Sequence, residues 1–370
     1  MDVEVAPQPS ARLLSIDALR GFDMFWIVGG EELVRAIALK TNTHAGEVIA
    51  EQLEHVEWAG FRFYDLIFPL FLFLVGAVLP FSLGKITSED RGAAYRRIAR
   101  RTAMLFLLGL IYNNLMQFDW PNLRVAGVLQ RIALCYGIAA VIFLNTRIVG
   151  QVIAFAAILG GYWALMTYVG APGGMPGDFS IEGNLGGWVD RHFLPGKIYK
   201  AYYGFGDNEG LLSTIPAIAT ALLGVLAGQT LRSSWRPSAK IASLLVAGAA
   251  CVTAGYFWHP HFPVIKNLWT SSFVLVAGGF SLILLALSYT IVDVLGFKKL
   301  AFVFTVIGAN AITIYVLSRF VDFEKIAQFF FGGFIRLSGN WGEIVTLAGV
   351  IVVEWMLLLF LYRNKLFLRV

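Results

Sequence analysis

Charge is scarce in this chain. Only 14% of its 370 residues are Asp, Glu, Lys or Arg, 58% are hydrophobic and the mean hydropathy is +0.70, whereas soluble domains run nearer a quarter charged. That balance excludes water-soluble packing, because repeated apolar runs of about twenty residues, each able to cross a hydrocarbon layer roughly 30 Å thick, have no place in a soluble fold. Cysteine is scarcer still. The two present, Cys135 and Cys251, lie inside apolar runs, which excludes a disulfide framework and a cysteine-based metal cluster. No Walker loop, dinucleotide-binding fingerprint or nucleophile elbow occurs. His259-Pro-His261 lacks the acidic or cysteine partners of a zinc motif, so no metal is expected. A cleavable leader is not apparent either, since Met1–Ser10 is polar and the first apolar segment contains Asp23.

What the chain does have is a succession of apolar runs. They place about ten transmembrane helices, at Asp17–Ala38, Phe63–Leu83, Thr102–Phe118, Val128–Leu144, Ile148–Val169, Leu211–Leu231, Ile241–Phe257, Trp269–Val292, Ala301–Arg319 and Glu343–Tyr362. The expected fold is an all-α polytopic bundle, one transmembrane unit over 1–370, with the N- and C-termini cytoplasmic. Orientation rests on the basic residues. Lys85, Arg91, Arg96, Arg97, Arg100 and Arg101, then Arg232, Arg236 and Lys240, then Lys298 and Lys299, fall in short loops on one side, as the positive-inside rule requires of the cytoplasm. The net charge of +5 is thereby explained by orientation and not by nucleic acid. Beyond a short tail at 1–12, the longer segments at about 40–62, 170–210 and 320–342 fall on the outer side. The middle one mixes Gly and Pro with acids and aromatics and is expected to fold over the outer mouth.

All five histidines, His44, His55, His192, His259 and His261, fall on that outer side. Histidine is the side chain best able to exchange protons near neutral pH, so a general base would work at the outer mouth. His55 stands out because His55-Val-Glu57-Trp58 leads within a few residues to Asp65 and Pro69, where a helix enters the membrane. Glu57 is a candidate partner to orient it. Asp65 suits a cap on the free N–H groups of that helix, with a direct catalytic role as the second reading. Ionisable and amide groups inside apolar spans are costly and mark cavities or one another. Those here are Asp17, Arg20, Asp23, Asn113, Asn114, Gln130, Arg131 and Asn310. Asp17 and Arg20 are spaced to pair on one helix face, and a buried Arg131 calls for an anion.

At these residues the chain resembles the bacterial homologues of lysosomal heparan-α-glucosaminide N-acetyltransferase. The matching segments are Ser15-Ile-Asp17-Ala-Leu-Arg20-Gly21-Phe-Asp23, the stretch from His55 to Phe71, Gly127-Val-Leu-Gln130-Arg131, Asp207-Asn-Glu209-Gly210-Leu-Leu-Ser213-Thr214, Lys266-Asn267-Leu268-Trp269 and Gly308-Ala-Asn310-Ala-Ile. They occur in family order, without the large N-terminal luminal domain of the lysosomal enzyme. Glu31 and Glu32 lie near where that enzyme has an asparagine in its first span.

The resemblance implies a transmembrane acetyltransferase of the bacterial inner membrane, compatible with a homodimer. It would take acetyl-CoA from the cytoplasm and acetylate the amine of a terminal glucosamine or related amino sugar outside. His55 matches the family histidine, with Glu57 and Asp65 as its catalytic neighbours. Asp17, Arg20, Asn113, Gln130, Arg131, Glu209, Lys266, Asn267, Trp269 and Asn310 are the candidate substrate and CoA contacts, with Asn267, Trp269 or backbone N–H groups as the candidate oxyanion donors. The basic loop Lys85–Arg101 suits attraction of CoA, although orientation alone also accounts for it. His55 acts either as a base or as an acetyl carrier. The rival functions are an amino-sugar transporter, for which the inverted repeats such folds often carry are not evident, and an O-acyltransferase of envelope glycans.

Overall fold

A computed structural model describes residues 13–87, 90–199 and 204–367; the tail at 1–12 and Tyr202 and Tyr203 lie outside them. The described residues are helical apart from loops and two isolated bridges. Among the described residues, seven helices are long and apolar enough to cross a membrane: Phe63–Leu83, Val128–Asn145, Ile148–Tyr168, Leu211–Arg232, Pro237–Trp258, Ser271–Val294 and Gly339–Arg363. A bent pair, Lys298–Ala309 with Ala311–Phe320, brings the number to as many as eight. The two other expected spans are helical but polar. Leu14–Phe25 (α1) continues through a wide turn at Trp26–Gly30 into Glu31–Lys40 (α2). The break falls at Val28 and at Gly29, whose φ of +125° only glycine adopts readily. Arg91–Tyr112 carries several arginines in its first turns and so lies below the apolarity of a simple span.

The expected outer segments are also partly helical. His44–Gln52 (α3) occupies the first, Leu185–Phe193 the second and Phe323–Leu337 the third. Thr43, Asn184 and Asp322 each accept a backbone N–H at the start of one of these helices, the cap that short polar side chains provide. Such caps are read from single residues, but hydropathy alone ranks these stretches as loops.

Helices in lipid gain little from hydrophobic burial and pack closely through small residues. Gly224 and Gly228 of Leu211–Arg232 lie against the backbone of Phe73 and Ala77, and Gly76 lies against Ala221; a Cβ at Gly224 would stand 1.9 Å from the Phe73 carbonyl oxygen. The same device joins α1 to Lys298–Ala309 through Gly21 and Gly308. The Phe63–Leu83 and Leu211–Arg232 spans are thereby buried on most of their faces. Their N-terminal ends carry the polar loops that build the site.

Candidate active site

His55 follows α3 in a loop that is tied to a distant one. Gly60 N–H donates to the Val264 carbonyl at 2.8 Å, and Ala59 pairs with Ile265 in an antiparallel bridge. Gly60 has a φ of +133°, in the region that favours glycine. The pairing lays the loop before Phe63–Leu83 alongside the one before Ser271–Val294, and His55 meets Lys266 across it.

Asp65 organises the meeting. Its carboxylate is fully buried and accepts the backbone N–H of Arg62 at 3.1 Å and of Val56 at 3.4 Å through Oδ2. Oδ1 lies 2.8 Å from His55 Nδ1. A carboxylate there draws the imidazole proton to Nδ1 and leaves the Nε2 lone pair free. Asp65 thus ties the backbone at the helix start and also takes the ring-orienting place expected of Glu57. Glu57, by contrast, is exposed, and the carboxylate on the His55 ring is Asp65 in its place.

Lys266 Nζ stands 3.3 Å from Asp65 Oδ1 and 3.0 and 3.2 Å from the two ring nitrogens of His55. A cation nearly equidistant from both nitrogens lies over the ring instead of along either lone pair. Tyr64 stacks on the imidazole with ring centres 4.7 Å apart. Loss of hydration lowers the His55 pKa below its ordinary value; the Asp65 hydrogen bond opposes this and the Lys266 charge adds to it. Burial lowers the Lys266 pKa as well, against the pull of Asp65 and Glu209.

His55 and Lys266 edge a chamber of about 670 Å³ that Asn113, Glu209, Asn267 and Trp269 also line. Arg124, which the sequence reading missed, grips the opposite side. Its Nε and Nη2 reach the two Asp207 carboxylate oxygens at 2.9 and 2.5 Å, and Nη2 also pairs with Glu209. Nothing marks Arg124 in a polar loop, but two acids at Asp207 and Glu209 beside a membrane mouth signal the need for a cation. Asn113 holds this loop by donating to the carbonyls of Arg124 and Ala126. Behind it Asp190 accepts the N–H groups of Leu211 and Asp207; burial pushes its pKa up to about 6.

Other expected residues lie elsewhere. Arg131 is buried beneath the chamber, donates to Ser213 Oγ at 2.5 Å and rests 4.8 Å over the Trp269 ring. No carboxylate contacts it among the described residues, so the face of an indole stands where an anion is expected. Trp269 gives its indole N–H to Thr220 Oγ1 at 3.1 Å and is not free to serve an oxyanion. Gln130 is buried with its amide oxygen over Gly109 and Gly127, outside the chamber wall.

Arg20 donates to Asp17 at 2.8 Å and to the Gly308 carbonyl at 2.7 Å. With Arg101 and Asn310, Arg20 lines a second cavity of about 110 Å³. Asn310 sits where the helix pair bends by 59°, and its Nδ2 is buried without a partner among the described residues. Between the two cavities lies a void of about 20 Å³. It shares Phe68, Val128 and Tyr315 with the chamber and Phe71, Ile132 and Ile312 with the second cavity. The three spaces form a row through the bundle.

Fold and site together define a class: a polytopic helical protein of membrane type, with a histidine, a carboxylate and a lysine at one end of a row of cavities. Among known proteins, the chain is 27% identical to human heparan-alpha-glucosaminide N-acetyltransferase over 424 aligned positions, which cover 97% of this chain and 60% of that protein. It is 26% identical to the mouse protein of the same name over 428 positions, 98% of this chain and 62% of that one. The chain thus spans about 60% of the length of the curated relatives it matches. No family model matches. The resemblance carried by the ordered motifs extends over nearly the whole chain.

Proposed function

We propose that this protein is a membrane-embedded acetyltransferase that moves acetyl from acetyl-CoA onto the amine of an amino sugar held in the 670 Å³ chamber. The observation that carries this reading is the row of cavities ending at His55, Asp65 and Lys266. The relatives' name, an N-acetyltransferase of a glucosaminide, supplies the substrate class. At the far end Arg20, Arg101 and the Asn310 amide nitrogen, which has no partner among the described residues, suit the phosphates and the amide-bearing arm of CoA. The positive-inside rule sets that end toward the cytoplasm.

Asp65 holds the His55 ring with Nε2 free, and the lowered pKa keeps that nitrogen unprotonated near neutral pH. The neutral amine attacks the thioester carbonyl while Nε2 takes the amine proton; the C–N bond forms as the C–S bond breaks, and His55 returns the proton to the departing sulfur. Lys266 and the Asn267 amide, which makes no hydrogen bond among the described residues, are the donors available to the oxyanion. The chamber has room for the sugar and the thioester together, which supports direct transfer.

Isotope-labelled acetyl-CoA supplied to inside-out vesicles with glucosamine inside tests the reading. Covalent label on nitrogen, stable to mild base, is expected. Label that stays on CoA indicates a transporter, and base-labile label indicates an O-acyltransferase; either overturns the proposal. Acetyl-histidine trapped from protein given donor alone would overturn direct transfer.

A further inference from the structure

A third large space lies away from the row. It is an open groove of about 710 Å³ between Arg91–Tyr112 (α4 in the order α1 to α3 used above) and the Val128–Asn145 span (α5), on the outward side of the bundle. Its walls are apolar: Ile98, Phe106, Leu107 and Leu110 of α4 face Leu134 and Ile138 of α5. The helices come close at its floor because Gly137 has no side chain opposite Thr102; a Cβ there would stand 2.7 Å from Thr102 Oγ1. From Tyr95 to Leu110 the groove follows α4 for about 22 Å at the helical rise of 1.5 Å per residue. That exceeds half of a hydrocarbon core roughly 30 Å thick, so the groove has the reach of one leaflet.

One end of the groove is cationic. Tyr95 closes it, its hydroxyl donating to Asn145 at 2.8 Å. Arg91 lies one turn before Tyr95 on the same helix face, Arg96 follows Tyr95, and Arg147 stands just beyond Asn145; all three are exposed. None of the three has a carboxylate partner among the described residues. An apolar slot one leaflet deep, capped by exposed guanidinium groups, is complementary to one molecule in two parts: a hydrocarbon chain and a phosphate.

We propose that this groove is a binding site for an anionic diacyl phospholipid, with one acyl chain between α4 and α5 and the phosphate at Arg91 and Arg96. The groove shares no lining residue with the row of cavities proposed for acetyl transfer. Two arginines, each contributing what a basic residue contributes at an anionic leaflet, give a preference for phosphatidylglycerol over phosphatidylcholine of roughly 30-fold.

Native mass spectrometry of the full chain, purified in detergent and titrated with each lipid, measures that preference. The unaltered protein should retain phosphatidylglycerol at the roughly 30-fold lower concentration. The double variant R91A/R96A changes exposed residues only and should bind the two lipids alike. A103W fills the groove from its exposed side and should lose tight binding of both. Equal retention of both lipids by the unaltered protein overturns the proposal, as does a preference that survives in either variant. If A103W changes the oligomeric state with no change in lipid retention, the groove is a contact between copies and the proposal fails.

Discussion

Asp65 and Lys266 exert opposing effects on the His55 ring, and that opposition can be measured. Loss of hydration and the Lys266 ammonium lower its pKa, while Asp65 raises it. If His55 Nε2 is the base, activity appears as pH rises through the His55 pKa, and the acidic limb of the rate profile reports it. Lys266→Met removes a cation, so the ring protonates more readily and the limb should move to higher pH. Asp65→Asn removes the stabilising carboxylate, so the limb should move to lower pH while the rate falls because the tautomer is no longer set. Limbs that move together, or not at all, would show that His55 is not the titrating group. His55→Ala should lower transfer by roughly 10²- to 10⁴-fold, the usual worth of a general base, with donor binding retained by calorimetry.

Among elements, the contacts that fix the site's geometry are backbone against backbone. The Leu211–Arg232 span presents Gly224 to the Phe73 carbonyl with no room for a side chain. Gly224→Val should force the Phe63–Leu83 span away and cost about 1–3 kcal/mol, typical of overpacking. A lowered midpoint of thermal unfolding in detergent checks this, and an unchanged midpoint would refute the close packing. The displacement also moves Asp65, which opens the Phe63–Leu83 span, so residual activity should fall more than the folded fraction. The bend at Asn310 has a different cost: the amide nitrogen buried there without a partner among the described residues is an unfavourable arrangement unless a ligand or water meets it.

At the scale of the molecule, the proposed function requires a donor from one side to meet an acceptor on the other across the narrow void between the cavities. Its volume of about 20 Å³ holds a water molecule but no acyl chain, so passage requires Tyr315, Phe71 or their helices to shift. Tyr315 stacks on Tyr112 with ring centres 4.8 Å apart, just over one turn beyond the Asn310 bend. Ile132→Trp should close the void and abolish transfer from acetyl-CoA. A truncated thioester such as acetyl-N-acetylcysteamine, supplied on the chamber side, should still react. Equal loss with both donors would indicate a folding defect, and equal retention would place the donor route elsewhere.

Much of this was written along the chain. The apolar runs make helices long enough for a membrane wherever charge is absent, because unpaired backbone in lipid leaves few alternatives. His55 and Asp65 were legible as candidates in one short stretch, ten positions apart, but not as a pair. Tertiary structure alone decided that Lys266, 211 positions away, would stand over the His55 ring, that Asp65 and not Glu57 would hold it, and that Arg131 would lie on Trp269. Hydropathy reports what each segment does toward solvent, and it carries no record of which distant polar side chains meet once the loops are paired. The broken first span and the helices within the outer segments were hidden for the same reason. Single caps and one glycine set them, below the resolution of a pattern averaged over a window of residues.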